Sequence, residues 1–283
     1  MNRAVGATVF ALLCFAANSV LCRMALRQPH IDPASFMGIR LCAGALTLWV
    51  LLRLRGGQRL RVAGDWTSAL ALLAYAVTFT FAYLGLTAGT GALLLFGAAQ
   101  VAMIAAGFAG GERVDVTIVC GWLLAVAGLI LLLRPGVSAP PALDAVLMLI
   151  AGIAWGVYSL RGRRSKEPLA DTAGNLVRSV PGVLLVSALF WAHRSADLEG
   201  VVLAALSGSI ASGLGYVAWY SALPRLGAIA AANAQLAVPV IAALAGVALF
   251  DEGITERLTA ASLLVLGGTA LAVRRRLTMQ AAR

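Results

Sequence analysis

Runs of about twenty apolar residues, separated by short polar stretches, repeat along the whole chain. That is the length an α-helix needs to cross the hydrocarbon core of a bilayer, which is roughly 30 Å thick. Ten such segments are predicted, at approximately 4–25, 34–54, 66–87, 90–110, 115–133, 143–162, 173–192, 200–221, 227–249 and 257–274. The stretches between them carry signals of chain reversal. Arg27-Gln28-Pro29-His30-Ile31-Asp32-Pro33 cannot be helical throughout, and Arg55-Gly56-Gly57-Gln58-Arg59 is polar and glycine-rich. Thr87-Ala88-Gly89-Thr90-Gly91 reads as a tight apolar turn, Arg134-Pro135-Gly136 leads into Pro140-Pro141 at the junction of two halves, and Leu223-Pro224-Arg225-Leu226-Gly227 closes the eighth segment. Little chain is left over for a soluble domain. The expected fold is an all-α polytopic membrane protein, one transmembrane domain over residues 1–283. Arg3 followed by an apolar run has the outline of a signal peptide, but Leu21 stands where cleavage before Cys22 would need a small residue, so the segment reads as a retained first helix.

Composition supports the pattern. Hydrophobic residues make up 61% and charged residues 12%, against roughly 45–50% and about 25% in soluble domains. So few charges cannot cover a water-facing surface. Disorder, coiled coil and a disulfide-stapled secreted domain are excluded with it. The four cysteines, Cys14, Cys22, Cys42 and Cys120, fall inside apolar segments and read as small buried hydrophobes.

The net charge of +10 would suggest nucleic acid in a soluble protein. Here it sorts by side. With ten spans, both termini and the even-to-odd loops share one face, which carries fifteen of the 22 basic residues; the other face carries four, Arg27, Arg134, Arg194 and Arg257. Arg23, Arg40 and Arg178 lie within spans. By the positive-inside rule both termini are cytoplasmic, and the basic loops face anionic lipid, with no nucleic acid as partner.

The halves match each other at an offset near 140. Glu112 ends the fourth span and Asp251-Glu252 the ninth; Gly128 in the fifth matches Gly267-Gly268 in the tenth. Gly38-Ile39-Arg40-Leu41 matches Leu176-Val177-Arg178-Ser179, and Ala82-Tyr83 matches Ala218-Trp219. This divides the chain into repeats at 1–135 and 142–276. Five spans per repeat is an odd number, so the second repeat enters the membrane inverted relative to the first. Inverted repeats are the build of many secondary transporters, whose sites lie near mid-membrane where the repeats meet.

Ala154-Trp155-Gly156-Val157-Tyr158 in the sixth span, and Gly227-Ala228-Ile229-Ala230, Pro239-Val240 and Asp251-Glu252 along the ninth, resemble the EamA-type drug/metabolite transporters. Within that superfamily the chain is most similar to bacterial amino acid exporters, aromatic amino acid exporters among them. The resemblance implies ten helices around a central cavity, a multi-pass protein of the bacterial inner membrane, and a place in that cavity for Trp155. One departure breaks the internal symmetry: where the ninth span has Pro239, the fourth has Gln100.

Several kinds of chemistry lack their residues. There is no Walker A sequence, and Lys166, the single lysine, sits in a basic loop, so ATP is not expected to drive the protein. All twelve acidic residues fall in loops or at helix ends, and His30 and His193 are predicted at the external face. No catalytic set, metal site or cofactor is expected. Where the related small multidrug exporters place a glutamate in their first helix, this chain has Phe15-Ala16-Ala17-Asn18-Ser19. A strongly cationic substrate would find no counter-charge in a low-dielectric cavity, so a neutral or zwitterionic metabolite is expected.

Polar and aromatic side chains inside spans are the candidates for binding it. Asn18 and Ser19 lie in the first span, Tyr75 and Thr78 in the third, Gln100 in the fourth, Tyr158 in the sixth, Tyr216 in the eighth, and Asn233 and Gln235 in the ninth. The fifth and tenth have almost none, which suits outer supports. Trp155 and Tyr158, Tyr75 and Phe79, and Tyr216 and Tyr220 are spaced to share helix faces. The predicted substrate-binding set is therefore Asn18, Tyr75, Thr78, Phe79, Gln100, Trp155, Tyr158, Tyr216, Tyr220, Asn233 and Gln235. Each also admits a plainer reading as interhelical hydrogen bonding or packing. Arg40 and Arg178, about two turns inside matching spans, either meet a substrate carboxylate or reach to their near interface and cap neighbouring helix ends. Arg23 reads as an interfacial anchor; Trp49, Trp66 and Trp191 read as interfacial belt residues. Pro181 and Pro239 are expected to kink their spans. The residues and the resemblance together point to export of small neutral or zwitterionic metabolites, amino acids with aromatic or large apolar side chains foremost, by alternating access. A carrier of organic phosphates or nucleotide sugars would need more cavity cations than Arg40 and Arg178, and a membrane-embedded enzyme lacks its reactive residues.

Overall fold

Within the described residues the apolar runs form helices. The computed structural model describes residues 2–28, 30–54, 63–111, 115–136, 139–163, 165–222 and 234–281. Its helices are α1 (Asn2–Arg27), α2 (Pro33–Leu54), α3 (Trp66–Ala82), α4 (Ala88–Ala109), α5 (Val116–Leu133), α6 (Ala142–Gly162), α7 (Pro168–Leu189), α8 (Leu198–Ala222), α9 (Ala237–Phe250) and α10 (Glu256–Ala281). Eight have the length and hydropathy to cross a membrane; α3 and α9 are shorter and equally apolar. The reversals around Arg55–Arg59 and Leu223–Gly227, and the candidate Asn233, lie outside the described residues.

Acidic and hydroxyl side chains fix the helix starts. Asp65 accepts from the Ser68 amide, Thr87 from Thr90, Asp115 from Thr117 and Asp197 from Gly200, each supplying an N-cap. The Thr87 cap explains why the third span stops at Ala82 rather than near residue 87: Thr87 belongs to the start of α4. The seventh helix begins earlier than its hydropathy indicates, because Pro168 suits the first helical position. In the ninth span the helical path is interrupted at Leu236, just ahead of Pro239. Pro239 cannot donate the bond that would carry a helix through that point.

The outer surface is apolar. Leu13, Leu46, Leu123, Leu184 and Leu263 are all exposed, as suits side chains facing lipid. Cys14 and Cys22 are buried as expected, but Cys42 and Cys120 face outward. A thiol is apolar enough to meet hydrocarbon, so its place within a span does not settle which face it takes.

The helices α5 and α10 pack along one another, with α4 behind them. Gly121 and Gly268 meet there so closely that a Cβ on either would lie 2.5 Å from the carbonyl oxygen of the other. Elsewhere α3 packs on α6 and α1 on α8; α4 on α6 and α1 on α9; α3 on α7 and α2 on α8; α2 on α7; and α4 on α9. Exchanging each helix for the one five places along maps these principal pairings onto themselves.

The reversals sort into two ends. At one, the Asp32 amide donates to the Ser195 carbonyl, joining the α1–α2 and α7–α8 turns; Arg257 Nη1 donates to the Arg134 carbonyl, and Arg23 Nη1 to that of Tyr83. At the other, the α2–α3 connection meets the end of α6 and the start of α7. Arg161 reaches Asp65, the Gly64 amide donates to Asp171, and the Asp65 amide donates to Asn175. Successive helices thus run in alternating directions.

Candidate functional site

Deep between the two ends, the spacing of aromatic residues brings α1, α3, α6 and α8 together around one side chain. Trp155 is 2% exposed. Its ring lies 5.1 Å from Tyr216, 5.3 Å from Tyr75, 5.8 Å from Tyr158 and 5.5 Å, edge-on, from Phe15. The cluster extends from Tyr75 to Phe79 and from Tyr158 to Tyr220. The Phe15–Trp155 and Tyr158–Tyr220 pairs meet edge-to-face, a favoured arrangement, and the others are tilted.

Beside Trp155 is a cavity of about 10 Å³, the space open to the centre of a water-sized sphere. It has room for a water molecule and not for a metabolite. Of the predicted residues, Asn18, Tyr75, Phe79, Trp155 and Tyr216 line it; Phe15, Ser19, Leu95 and Phe96 complete the wall. Gln100 and Gln235 are brought together instead by their own hydrogen bond of 3.3 Å, outside this wall. Tyr158 and Tyr220 stand behind it as a second layer. Thr78 is half-buried and donates to the Ala74 carbonyl of its own helix.

A polar network runs through the same region. Asn18 donates to the Tyr75 hydroxyl at 2.9 Å and accepts from Ser207 at 2.6 Å. Arg40 is 1% exposed. Its Nε donates to Ser212 Oγ at 3.0 Å, and its Nη2 donates to the hydroxyls of Tyr75 at 3.0 Å and Tyr216 at 3.3 Å. The guanidinium carbon lies 4.8 Å from the Phe79 ring centre and 5.2 Å from that of Tyr75. Arg40 Nη1 and Trp155 Nε1 are buried without a hydrogen-bond partner.

Both serines come from a π-helical stretch of α8, Ser207–Leu214. A wider turn of this kind changes the spacing of side chains and recurs at functional sites. Gly208 makes it possible: a Cβ there would collide with the Arg40 carbonyl, so only glycine lets α8 approach α2 this closely.

The other intramembrane arginines are placed differently. Arg178 is half-buried, and its Nη1 donates to the carbonyls of Ala63 at 2.7 Å and Gly174 at 3.2 Å. Arg23 pairs with Glu252 at 2.9 Å, and Glu252 also accepts from the Ala88 amide. These two fit the capping and anchoring roles read from sequence; Arg40 reaches neither interface. At the Arg161 end, burial works to raise the Asp65 carboxyl's pKa, but hydrogen bonds from Ser68 and the nearby Arg161 charge outweigh it and hold the group below the usual carboxylate range. Among the described residues no group of three His, Cys, Asp or Glu side chains is arranged to hold a metal.

Sequence reasoning missed Phe15, one turn before Asn18, and the π segment. The signal for the latter was the run of serines and glycines from Ser207 to Gly215, unusual inside a span.

Fold and site together define a polytopic α-helical membrane protein with a buried polar and aromatic centre. The sequence pattern of the EamA-like transporter family matches residues 143–274. An uncharacterized protein of Pseudomonas aeruginosa is 51% identical over 270 residues, covering 95% of this chain and 94% of that one. An uncharacterized transporter of Archaeoglobus fulgidus is 31% identical over 171 residues, 58% of this chain and 60% of the other. Residues 143–274, the second part of the chain, thus carry the pattern of the EamA-like transporter family. A crystal structure of another protein shares the fold, with a TM-score of 0.66 over 97% of this chain and 98% of that one at 18% identity.

Proposed function

We propose that this transporter exports amino acids with aromatic or large apolar side chains across the bacterial inner membrane. Both termini are cytoplasmic, and repeats 1–135 and 142–276 are inverted, exchanging access to the Trp155 cavity between the two faces. One observation carries the substrate reading: a tryptophan ringed by Phe15, Tyr75, Tyr158 and Tyr216, with amide, hydroxyl and guanidinium groups along the same wall. Rings suit an aromatic or aliphatic side chain, and the polar groups suit the amino-acid head. The repeat assignment is supported by helix pairings that survive exchange of the halves. Flux down the substrate gradient, or exchange, suits a centre whose lining, among the described residues, contains no carboxylate. An organic phosphate carrier fits less well, because Arg178 directs its donors to backbone carbonyls.

The test is transport of labelled amino acids in proteoliposomes, repeated with Trp155→Ala. Aromatic and large apolar amino acids should move, and the variant should abolish their movement. If no member of the panel moves, the amino-acid reading fails. If all move and Trp155→Ala is silent, the site is misplaced.

A further inference from the structure

We infer that Arg40 is the anion-binding group of the central cavity, and that the cavity takes a carboxylate carried on an aromatic or large apolar body without requiring an amino group. This rests on the Trp155 cavity being the substrate site, and specifies what that site recognises.

The first argument is the company Arg40 keeps. Other arginines in or near the spans meet a carboxylate or a carbonyl: Arg23 meets Glu252, Arg161 meets Asp65, Arg27 meets the Phe250 carbonyl, and Arg178 meets those of Ala63 and Gly174. Arg40 is as deeply buried as a side chain can be and bonds only to neutral hydroxyls, those of Ser212, Tyr75 and Tyr216. A charge withdrawn from water without an opposite charge is costly, and an anion beside it offsets that cost.

The second is a surplus of donors. Arg40 Nη1 and Trp155 Nε1 are both buried N–H groups without an acceptor. Trp155 lines the cavity, and Arg40 abuts it through the Tyr75, Phe79 and Tyr216 side chains that also line it. Unmet donors next to a fixed positive charge call for an acceptor with negative charge. A carboxylate has two oxygens in the plane a guanidinium presents.

Charge balance then selects among ligands. Among the described residues the cavity wall contains no carboxylate. A monocarboxylate makes the filled site neutral, whereas a zwitterion restores the net positive charge with its ammonium group and a phosphate dianion overshoots. An amine adds a second positive charge and an alcohol leaves Arg40 unpaired. Once the cavity widens beyond its water-sized volume, the apolar body would lie against Phe15, Phe96 and Trp155.

The experiment is calorimetric titration of the full-length protein with four ligands that share one phenylpropyl frame: 3-phenylpropionate, phenylalanine, 3-phenylpropan-1-ol and 3-phenylpropylamine. The acid should bind at least as tightly as phenylalanine, and about tenfold or more tighter than the alcohol and the amine. Arg40→Lys should keep the order with weaker binding, and Arg40→Gln should level acid and alcohol. Equal binding of acid and alcohol or amine, a need for the amino group, or an unchanged acid preference in Arg40→Gln would each overturn the assignment while leaving the aromatic site standing. If none of the four binds, the aromatic substrate reading falls with it. Should Arg40→Gln not fold, the series on the unaltered protein decides.

Discussion

Arg40 on α2 and Arg178 on α7 sit on helices that pack against each other. Their surroundings are nevertheless unlike. Arg40 is enclosed by rings from α3 and hydroxyls from α3 and α8. Arg178 reaches to one end of the bundle, where the carbonyls of Ala63 and Gly174 accept hydrogen bonds from it. The helix pairings survive a shift of five places, but each arginine's environment comes from what packs there, and on the Arg40 side α8 is locally unwound into a π turn that delivers Ser212. A small metabolite has no two-fold symmetry. An environment at Arg40 that is not repeated at Arg178 suits such a ligand.

The most severe way to break this comparison is to empty the Arg40 side of its largest ring. Trp155→Ala removes a side chain touching four others and should destabilise the protein by about 3–5 kcal/mol, while abolishing transport of aromatic substrates in proteoliposomes. Trp155→Phe should retain much of both. A comparable loss of transport from changes confined to the Arg178 end would contradict the assignment of the centre.

The arginines themselves should give opposite signatures. Arg40→Met replaces a buried charge that has no opposite charge beside it with an apolar chain of similar length, which removes the cost of keeping that charge from water. The melting temperature should hold or rise while transport disappears. Arg178→Met takes the guanidinium donor from the Ala63 carbonyl, while the Gly174 carbonyl keeps its helical partner, and hydrogen bonds to charged groups are worth about 1.5–3 kcal/mol. Here the melting temperature should fall while transport per folded molecule persists. If both variants lose stability and neither selectively loses transport, the two arginines are both structural.

The sequence shows why this asymmetry was hard to foresee. The ten helices were legible because each had to present about twenty apolar residues to lipid, and Asn18, Tyr75, Phe79, Trp155 and Tyr216 were legible because polar and aromatic groups at such depth face inward. Arg40 and Arg178 share a motif position, so spacing alone gave them one interpretation. What separates them is the three-dimensional approach of α8, permitted by Gly208, and a π turn leaves no periodic trace in sequence. Gln100 and Gln235 were readable as inward-facing but not as each other's partner, since that depends on the crossing of α4 with the segment leading into α9.

Gly208 offers a smaller but more local test. Gly208→Ala puts a methyl against the Arg40 carbonyl, and overpacking of this kind costs typically 1–3 kcal/mol. The strain should push α8 from α2 and loosen the Ser212 and Ser207 hydrogen bonds together. Transport should fall with this variant, whereas alanine at Gly174 should disturb the Arg178 end and leave ligand binding at the centre intact. Calorimetric binding separates the two. Equal loss of binding from both would mean that the packing of α2 on α8 has no special claim on the site.

The smallest effect distinguishes the two ends by pH. His30 and Asp197 join the α1–α2 turn to the α7–α8 turn at 2.7 Å, and these turns hold the ends of the helices that carry Arg40 and Ser212. The hydrogen bond to Asp197 raises the pKa of His30 above its ordinary value, against a lesser opposing effect of desolvation. Asp197 is held below its ordinary value by the Gly200 amide and then by His30. For the histidine, the raised folded-state pKa means that the contribution is complete below the unfolded pKa of about 6.5 and is lost as pH rises through the folded value. For the aspartate, it is present above the unfolded value of about 3.9 and is lost only as pH falls through the depressed one. Between about pH 6 and pH 8 the histidine alone changes charge, so the melting temperature of the unaltered protein should fall more steeply with rising pH than that of His30→Gln. Both histidines of the chain, His30 and His193, lie at this end of the bundle, and the Arg178 end has none. The same pH change should therefore leave the Asp65–Arg161 pair undisturbed. Parallel pH profiles for His30→Gln and the unaltered protein would show that this link does not hold the turns together.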